Sequence, residues 1–116
     1  MINPLSRRTL IGICGAVLLA TATGAMAQQV VTGTAEIDIK NFAFVPATLT
    51  VAAGTAVTWV NQDEEPHNIV DLAKPHVFRS QGIDGGDKYT FVFDKPGTYE
   101  YVCSVHPHMH GTIVVK

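Results

Sequence analysis

The chain is short of charge, of sulfur and of helical periodicity, and each shortage removes a class of explanation. Only 16% of its 116 residues are charged, and past residue 8 the lysines and arginines stand singly. No basic patch is left to neutralise phosphates, which argues against nucleic acid as a partner. After residue 27 apolar residues do not keep a helical period for any useful length, and no run there is long enough to span a membrane. Three methionines are too few for a Met-rich open metal carrier. Of two cysteines, Cys14 and Cys103, only one lies in the body of the domain, so no internal disulfide is available there.

The first 27 residues read as an address and not as structure. Arg7 and Arg8 form a positive region, an apolar stretch covers 10–20, and small residues lead to Ala25-Met26-Ala27. This is the three-part layout of a bacterial signal peptide cleaved after Ala27, which places the product in the periplasm. Ser6-Arg7-Arg8-Thr9-Leu10 also fits a twin-arginine signal, so Sec and twin-arginine export both stay open. Gly, Thr and Ala make the stretch a poor spanning anchor, and Cys14 lacks the preceding small residue of a lipoprotein site. The remaining domain, 28–116, has 89 residues and keeps ten acidic against six basic side chains, a formal charge of −4. A domain this small buries a limited core, and a bound metal would stabilise it.

What is present is β-sheet patterning. Short runs rich in Val, Ile, Thr, Phe and Tyr alternate with Gly, Pro and Asp turns. Strands are expected at 34–42, 48–51, 56–60, 68–70, 77–80, 88–93, 98–102 and 112–115. Ile37 and Ile39 alternate with Glu36, Asp38 and Lys40, and Tyr89, Phe91 and Phe93 with Lys88, Thr90 and Val92. Each such strand has one wet face. About eight short strands at this spacing make an all-β sandwich or barrel. Trp59, between Val57 and Asn61, reads as core rather than as an electron relay.

Cys103 is then the sharpest feature. A lone thiol in an oxidising compartment calls for a covalent partner, a reactive role or a metal. Cys103-Ser-Val-His106-Pro-His-Met109 sets a thiolate, an imidazole and a thioether at i, i+3 and i+6, in a loop between two strands. His67, after Pro66, offers a second imidazole. Two imidazoles and a thiolate with a distant thioether are the ligand set of blue copper, while zinc and magnesium rarely recruit methionine.

Phe44-Val-Pro46-Ala-Thr-Leu49-Thr-Val51, Gly54-Thr-Ala-Val57-Thr-Trp59-Val-Asn61, Pro66-His67-Asn68 and Phe93-Asp94-Lys95-Pro96-Gly97-Thr98-Tyr99, leading into Cys103, resemble the plastocyanin/azurin class of cupredoxins. The short C-x-x-H-x-x-M loop resembles the amicyanin group. The resemblance spans nearly all of 28–116. It implies a Greek-key β-sandwich with one copper ion at one end. It implies His67 and His106 as imidazole ligands, Cys103 as the thiolate and Met109 as the axial ligand. Asn68 is expected to give its backbone N–H to the Cys103 sulfur, Ser104 to answer Asn68 across the loops, Pro107 to stiffen the loop, and Gly111 to let the chain turn into the last strand.

The expected function is a periplasmic electron carrier, a monomer and not an enzyme, cycling Cu(II) and Cu(I). Its partners would be redox proteins, such as a periplasmic dehydrogenase or a c-type cytochrome, docking near His106 and His108. A copper-delivery or resistance protein is the alternative. A copper oxidase or reductase needs further copper sites that 89 residues do not provide. His106, His108 and His110 alternate and could form a three-His zinc site, but that leaves Cys103 and His67 without work. His76 could join His108 in a surface metal site. Asp63-Glu64-Glu65 reads as a solvated turn or an acidic docking edge.

Overall fold

The computed structural model describes residues 29–116, so the expected leader lies outside the described residues. Eight strands follow in order: β1 (Thr34–Ile39), β2 (Phe44–Val45), β3 (Thr48–Val51), β4 (Thr55–Asn61), β5 (Val70–Asp71), β6 (Lys88–Phe93), β7 (Gly97–Cys103) and β8 (His106–Val115). They form two four-stranded sheets, ordered β2-β1-β4-β6 and β3-β8-β7-β5, packed as a Greek-key sandwich. The pairs β1–β4 and β3–β8 are parallel. Among the described residues no helix is long and apolar enough to cross a membrane.

Alternation along the strands builds the core. In β4, Thr55, Val57, Trp59 and Asn61 point inward; in β8, Met109, Gly111, Ile113 and Val115 do so. Trp59 is fully buried. Its ring meets Tyr101 at 5.4 Å in a T-shape and stacks on Phe78 at 5.9 Å. Burial of such side chains is worth roughly 1.5–3 kcal/mol each, and Trp59 is accordingly a core residue. Burial pushes the Tyr101 phenol far above its ordinary value, with the Trp59 indole working against the shift.

Four expectations need correction. The strand expected over 34–42 ends at Ile39. The chain then reverses through Asn41 and Phe42, whose φ values are +54° and +57°. Lys40 and Ala43 exchange N–H···O bonds of 2.9 and 3.1 Å, closing a two-residue hairpin of the type I′ kind. The strand expected over 68–70 is displaced to Val70 and Asp71. Residues 77–80 make only a bridge between Arg79 and Val70. There the Val77 N–H donates to the buried Asp71 carboxylate (2.8 Å) rather than to a ladder partner.

The fourth correction concerns the last strand and Gly111: the strand expected over 112–115 already begins at His106, so Gly111 does not turn the chain. It lies within β8 opposite Tyr101, and a Cβ there would collide with the Tyr101 ring and hydroxyl. The glycine is the floor on which a cross-strand aromatic lies. Gly111→Ala should therefore overpack the core and cost roughly 1–3 kcal/mol. Denaturant unfolding of the metal-free protein measures this; an unchanged midpoint at constant m-value would mean that Tyr101 can simply move aside.

Candidate metal centre

The site begins with a slip in strand pairing. Tyr101 faces Gly111 and Val102 faces His110, but Cys103 faces His106. Nothing separates Val102 from Cys103 on β7, while Pro107, His108 and Met109 are left over on β8. The extra residues bulge, and the bulge folds the ligand loop back toward Cys103. Cys103 is fully buried, Met109 is buried, and His106 is half-buried. The parity that sends Ile113 and Val115 inward sends Met109 inward as well, and leaves His108 and His110 exposed.

His67 comes from the segment between β4 and β5. It bridges to Ile83 through backbone bonds of 3.1 and 2.7 Å, and it is 1% exposed. Its Nε2 lies 3.0 Å from the Asp63 carboxylate. A carboxylate can only accept, so Nε2 carries the proton and Nδ1 keeps a free lone pair. That Nδ1 lies 3.8 Å from the Cys103 sulfur, and the His106 Nδ1 lies 3.7 Å from it. The three donor atoms fall within 4.8 Å of one another, the one such group among the described residues.

These distances fit a metal. Donors held about 2.0–2.3 Å from a common first-row ion, at about 120° to one another, stand about 3.8 Å apart. Thiolate plus two imidazoles, with the buried Met109 thioether in the same group, is a copper set rather than a zinc or magnesium one. The three-His arrangement of His106, His108 and His110 is not assembled; the rings of His106 and His108 lie 6.3 Å apart. His76 is engaged elsewhere, its Nδ1 lying 2.8 Å from the Asp71 carbonyl and 3.0 Å from its carboxylate.

Asn68 and Ser104 tie the two ligand segments together. The Asn68 amide donates to the Ser104 hydroxyl, and the Ser104 N–H donates back to the Asn68 carbonyl oxygen, both at 2.8 Å. Ser104 thus answers Asn68 across the loops as expected, and it does so through the Asn68 side chain; the expected Asn68 backbone N–H bond to the Cys103 sulfur is not found among the described residues.

Two organising residues escaped the sequence reading. Asn61 is fully buried at the end of β4; its Nδ2 donates to the carbonyls of Glu65 and Ile83 (2.8 Å each), and its Oδ1 accepts from the Asp63 N–H (2.9 Å). It shapes the segment that carries His67. Its signal was a polar residue at an inward position, two beyond Trp59. Asp63 accepts not only from His67 but also from the N–H groups of Asn41 (2.7 Å) and Phe42 (2.9 Å). Burial works to raise its carboxyl, but the two backbone bonds and the His67 contact outweigh that and hold it below the ordinary value. It is therefore not the solvated turn residue expected; Glu64 and Glu65 are exposed. The four-residue spacing from Asp63 to His67 was the available clue.

A family model described as a cupredoxin-like domain matches residues 10–115, and the chain belongs to that family. Amicyanin-alpha of Methylorubrum extorquens is 35% identical over 104 residues, covering 84% of this chain and 86% of the relative. Plastocyanin of Scenedesmus fuscus is 36% identical over 90 residues, covering 68% and 92%. Among solved structures, an oxidised point mutant of amicyanin superposes with a TM-score of 0.69 at 31% identity, covering 72% of this chain and 83% of that one. A purple cupredoxin from Nitrosopumilus maritimus gives 0.65 at 33%, covering 71% and 99%. The cofactor that the family and the donor set define is one copper ion.

Asn61→Leu removes three hydrogen bonds at once, one buried and two part-buried, and leaves the Glu65 and Ile83 carbonyls without that donor. It should cost roughly 1–3 kcal/mol or more in unfolding free energy. Equal stability of this variant and the parent in urea would show that water takes over those groups.

Proposed function

We propose that this protein is a periplasmic type 1 blue-copper electron carrier, with copper held by His67, Cys103, His106 and Met109. The observation that carries the reading is the closed group of one thiolate and two imidazole donors within 4.8 Å, two of the three fully shielded from water. Soft sulfur suits Cu(I), and imidazole suits both oxidation states. The copper supplies the redox couple; the chain supplies the rigidity. Cys103 is fixed by β7, His67 by Asp63 and the Ile83 bridge, and the two segments are fixed to each other through Asn68 and Ser104. A donor set that moves little between the two states keeps reorganisation small.

His106 is the half-exposed member and serves as the electron exit. Around it Phe42 and Val105 are exposed apolar residues, and Glu64 and Glu65 lie exposed before His67. A redox partner such as a c-type cytochrome or a periplasmic dehydrogenase docks on this end, near His106 and His108. Residues 1–27 act as the export leader, by the Sec or twin-arginine route, and the domain 28–116 works as a monomer without an enzymatic activity of its own. Copper delivery is the less supported reading, because the donors are enclosed and Met109 is the one methionine of 28–116.

The copper-loaded protein should be intensely blue when oxidised and colourless when reduced, and Cys103→Ala should remove the colour. A colourless Cu(II) form of the folded parent sinks the reading. His106→Ala should destroy the band while His108→Ala leaves it nearly intact; the reverse outcome would shift the ligand register by two residues. Met109→Leu should keep copper and raise the reduction potential, since loss of a weak axial donor disfavours Cu(II). Voltammetry of the two proteins decides it, and a lowered potential removes Met109 from the site.

A further inference from the structure

The Asn41–Phe42 turn breaks a local rule at a place where that matters. A type I′ turn needs positive φ at both central residues, which suits Asn first and Gly second. Here Asn41 fills the first position, but a bulky Phe42 occupies the second at +57°. A bulky residue in that region is an outlier that persists only where its surroundings over-determine it. The surroundings are visible. Both N–H groups of the turn donate to the one Asp63 carboxylate, at 2.7 and 2.9 Å. The same carboxylate lies 3.0 Å from the His67 Nε2.

Burial does not explain the phenylalanine, because Phe42 is 38% exposed. Its contacts do. Its ring stands nearly perpendicular to the His67 ring at 5.1 Å and to the His106 ring at 4.9 Å. Those two imidazoles are themselves 5.1 Å apart. Three rings thus close a triangle that joins the exposed Phe42, the half-exposed His106 and the buried His67.

We propose that the Asn41–Phe42 turn is a clamped cap on the copper site: Asp63 holds the strained turn, and Phe42 keeps the His106 ring from rotating out and keeps water and competing ligands from entering between the two imidazoles. Asp63 is then a positioning residue for both a ligand and its cover. The cap's function is retention of the metal, and its cost is local backbone strain. The inference rests on the ligand assignment proposed above.

The strain makes the proposal separable from ordinary packing. Phe42→Gly relieves the positive φ and removes the ring. The metal-free variant should unfold at the parent's midpoint or above it, because glycine suits the turn. The copper-loaded variant should lose copper to an excess of a small Cu(I) chelator at least about ten-fold faster than the parent, the equivalent of about 1.4 kcal/mol in the release barrier. Asp63→Asn keeps the ring but has one acceptor oxygen left for three N–H donors. It should speed hydrogen exchange at the Asn41 and Phe42 amides in the metal-free protein and release copper at an intermediate rate. In the double variant the effects should fall well short of additive, because one device has been removed twice.

Parent-like copper release from Phe42→Gly overturns the cap. So does faster release accompanied by a proportionate loss of stability, which would make Phe42 a packing residue. Additive release rates in the double variant overturn the clamp by Asp63. A parent that shows no thiolate–copper band fails the ligand assignment and the cap with it, whereas an intact band with unchanged release fails the cap alone.

Discussion

Everything at the metal end depends on the slip in register between β7 and β8. A regular antiparallel pair would continue the Tyr101–Gly111 and Val102–His110 pairing and set Cys103 opposite Met109, on facing strands. The pairing of Cys103 with His106 instead throws three residues out of the ladder. Cys103, His106 and Met109 therefore sit at the end of two strands whose remaining pairing, from Gly97–Val115 to Val102–His110, is intact. The metal end is a defect in a sheet, but a defect anchored by rigid ladder immediately behind it, through Tyr101 lying on Gly111. Rigid support behind an irregular loop is the condition for holding donor atoms at fixed separations in both redox states.

The second ligand segment is irregular too, and polar side chains rather than a ladder fix it. Asn61 bonds two carbonyls and one N–H around the 61–67 segment, Asp63 bonds two N–H groups and an imidazole, and Asn68 exchanges two bonds with Ser104. Asn61 uses both amide hydrogens and Asp63 both oxygens, and a polar network rigidifies its surroundings when its members are satisfied. The three residues divide the task. Asn61 sets the shape of the segment, Asp63 sets the tautomer of His67, and Asn68 sets the distance to the Cys103 loop.

Legibility in the sequence followed the same division. Strands 48–51 and 88–93 were readable to the residue, the first from its short β-branched run and the second because alternation of apolar and polar side chains is a direct image of a pleated sheet with one buried face. The grouping of Cys103 and His106 was readable because three residues in a short loop cannot stray far from each other. His67 was legible only by the chemistry that the other donors required. The turn at 41–42 was hidden because the residue expected to mark a reversal, a glycine, is absent; the one local trace of it is the change of phase from Ile37 and Ile39 to Phe42 and Phe44. The 77–80 segment was misread for the opposite reason: its residues suit a strand, but the Asp71 carboxylate takes the Val77 N–H out of the ladder. In both places a carboxylate outside the segment itself decided the backbone, and no apolar–polar pattern within the segment encodes that.

A common physical reason underlies the two carboxylates. Asp63 accepts from two backbone N–H groups and Asp71 from one, and each also accepts from a histidine ring, His67 and His76 respectively. A carboxylate with two oxygens can replace several missing ladder partners, so it permits the chain to leave the sheet without stranding its donors. The sandwich is regular where nothing but packing is required, and it departs from regularity where a carboxylate stands ready to satisfy the freed backbone. At Asp71 the departure makes only a loop. At Asp63 it also delivers a ring onto two imidazoles, which is why the local rule broken at Phe42 belongs to the metal end and not to the core. Local preference and global fold agree over most of the chain, and a conflict between them is most informative where it touches a site.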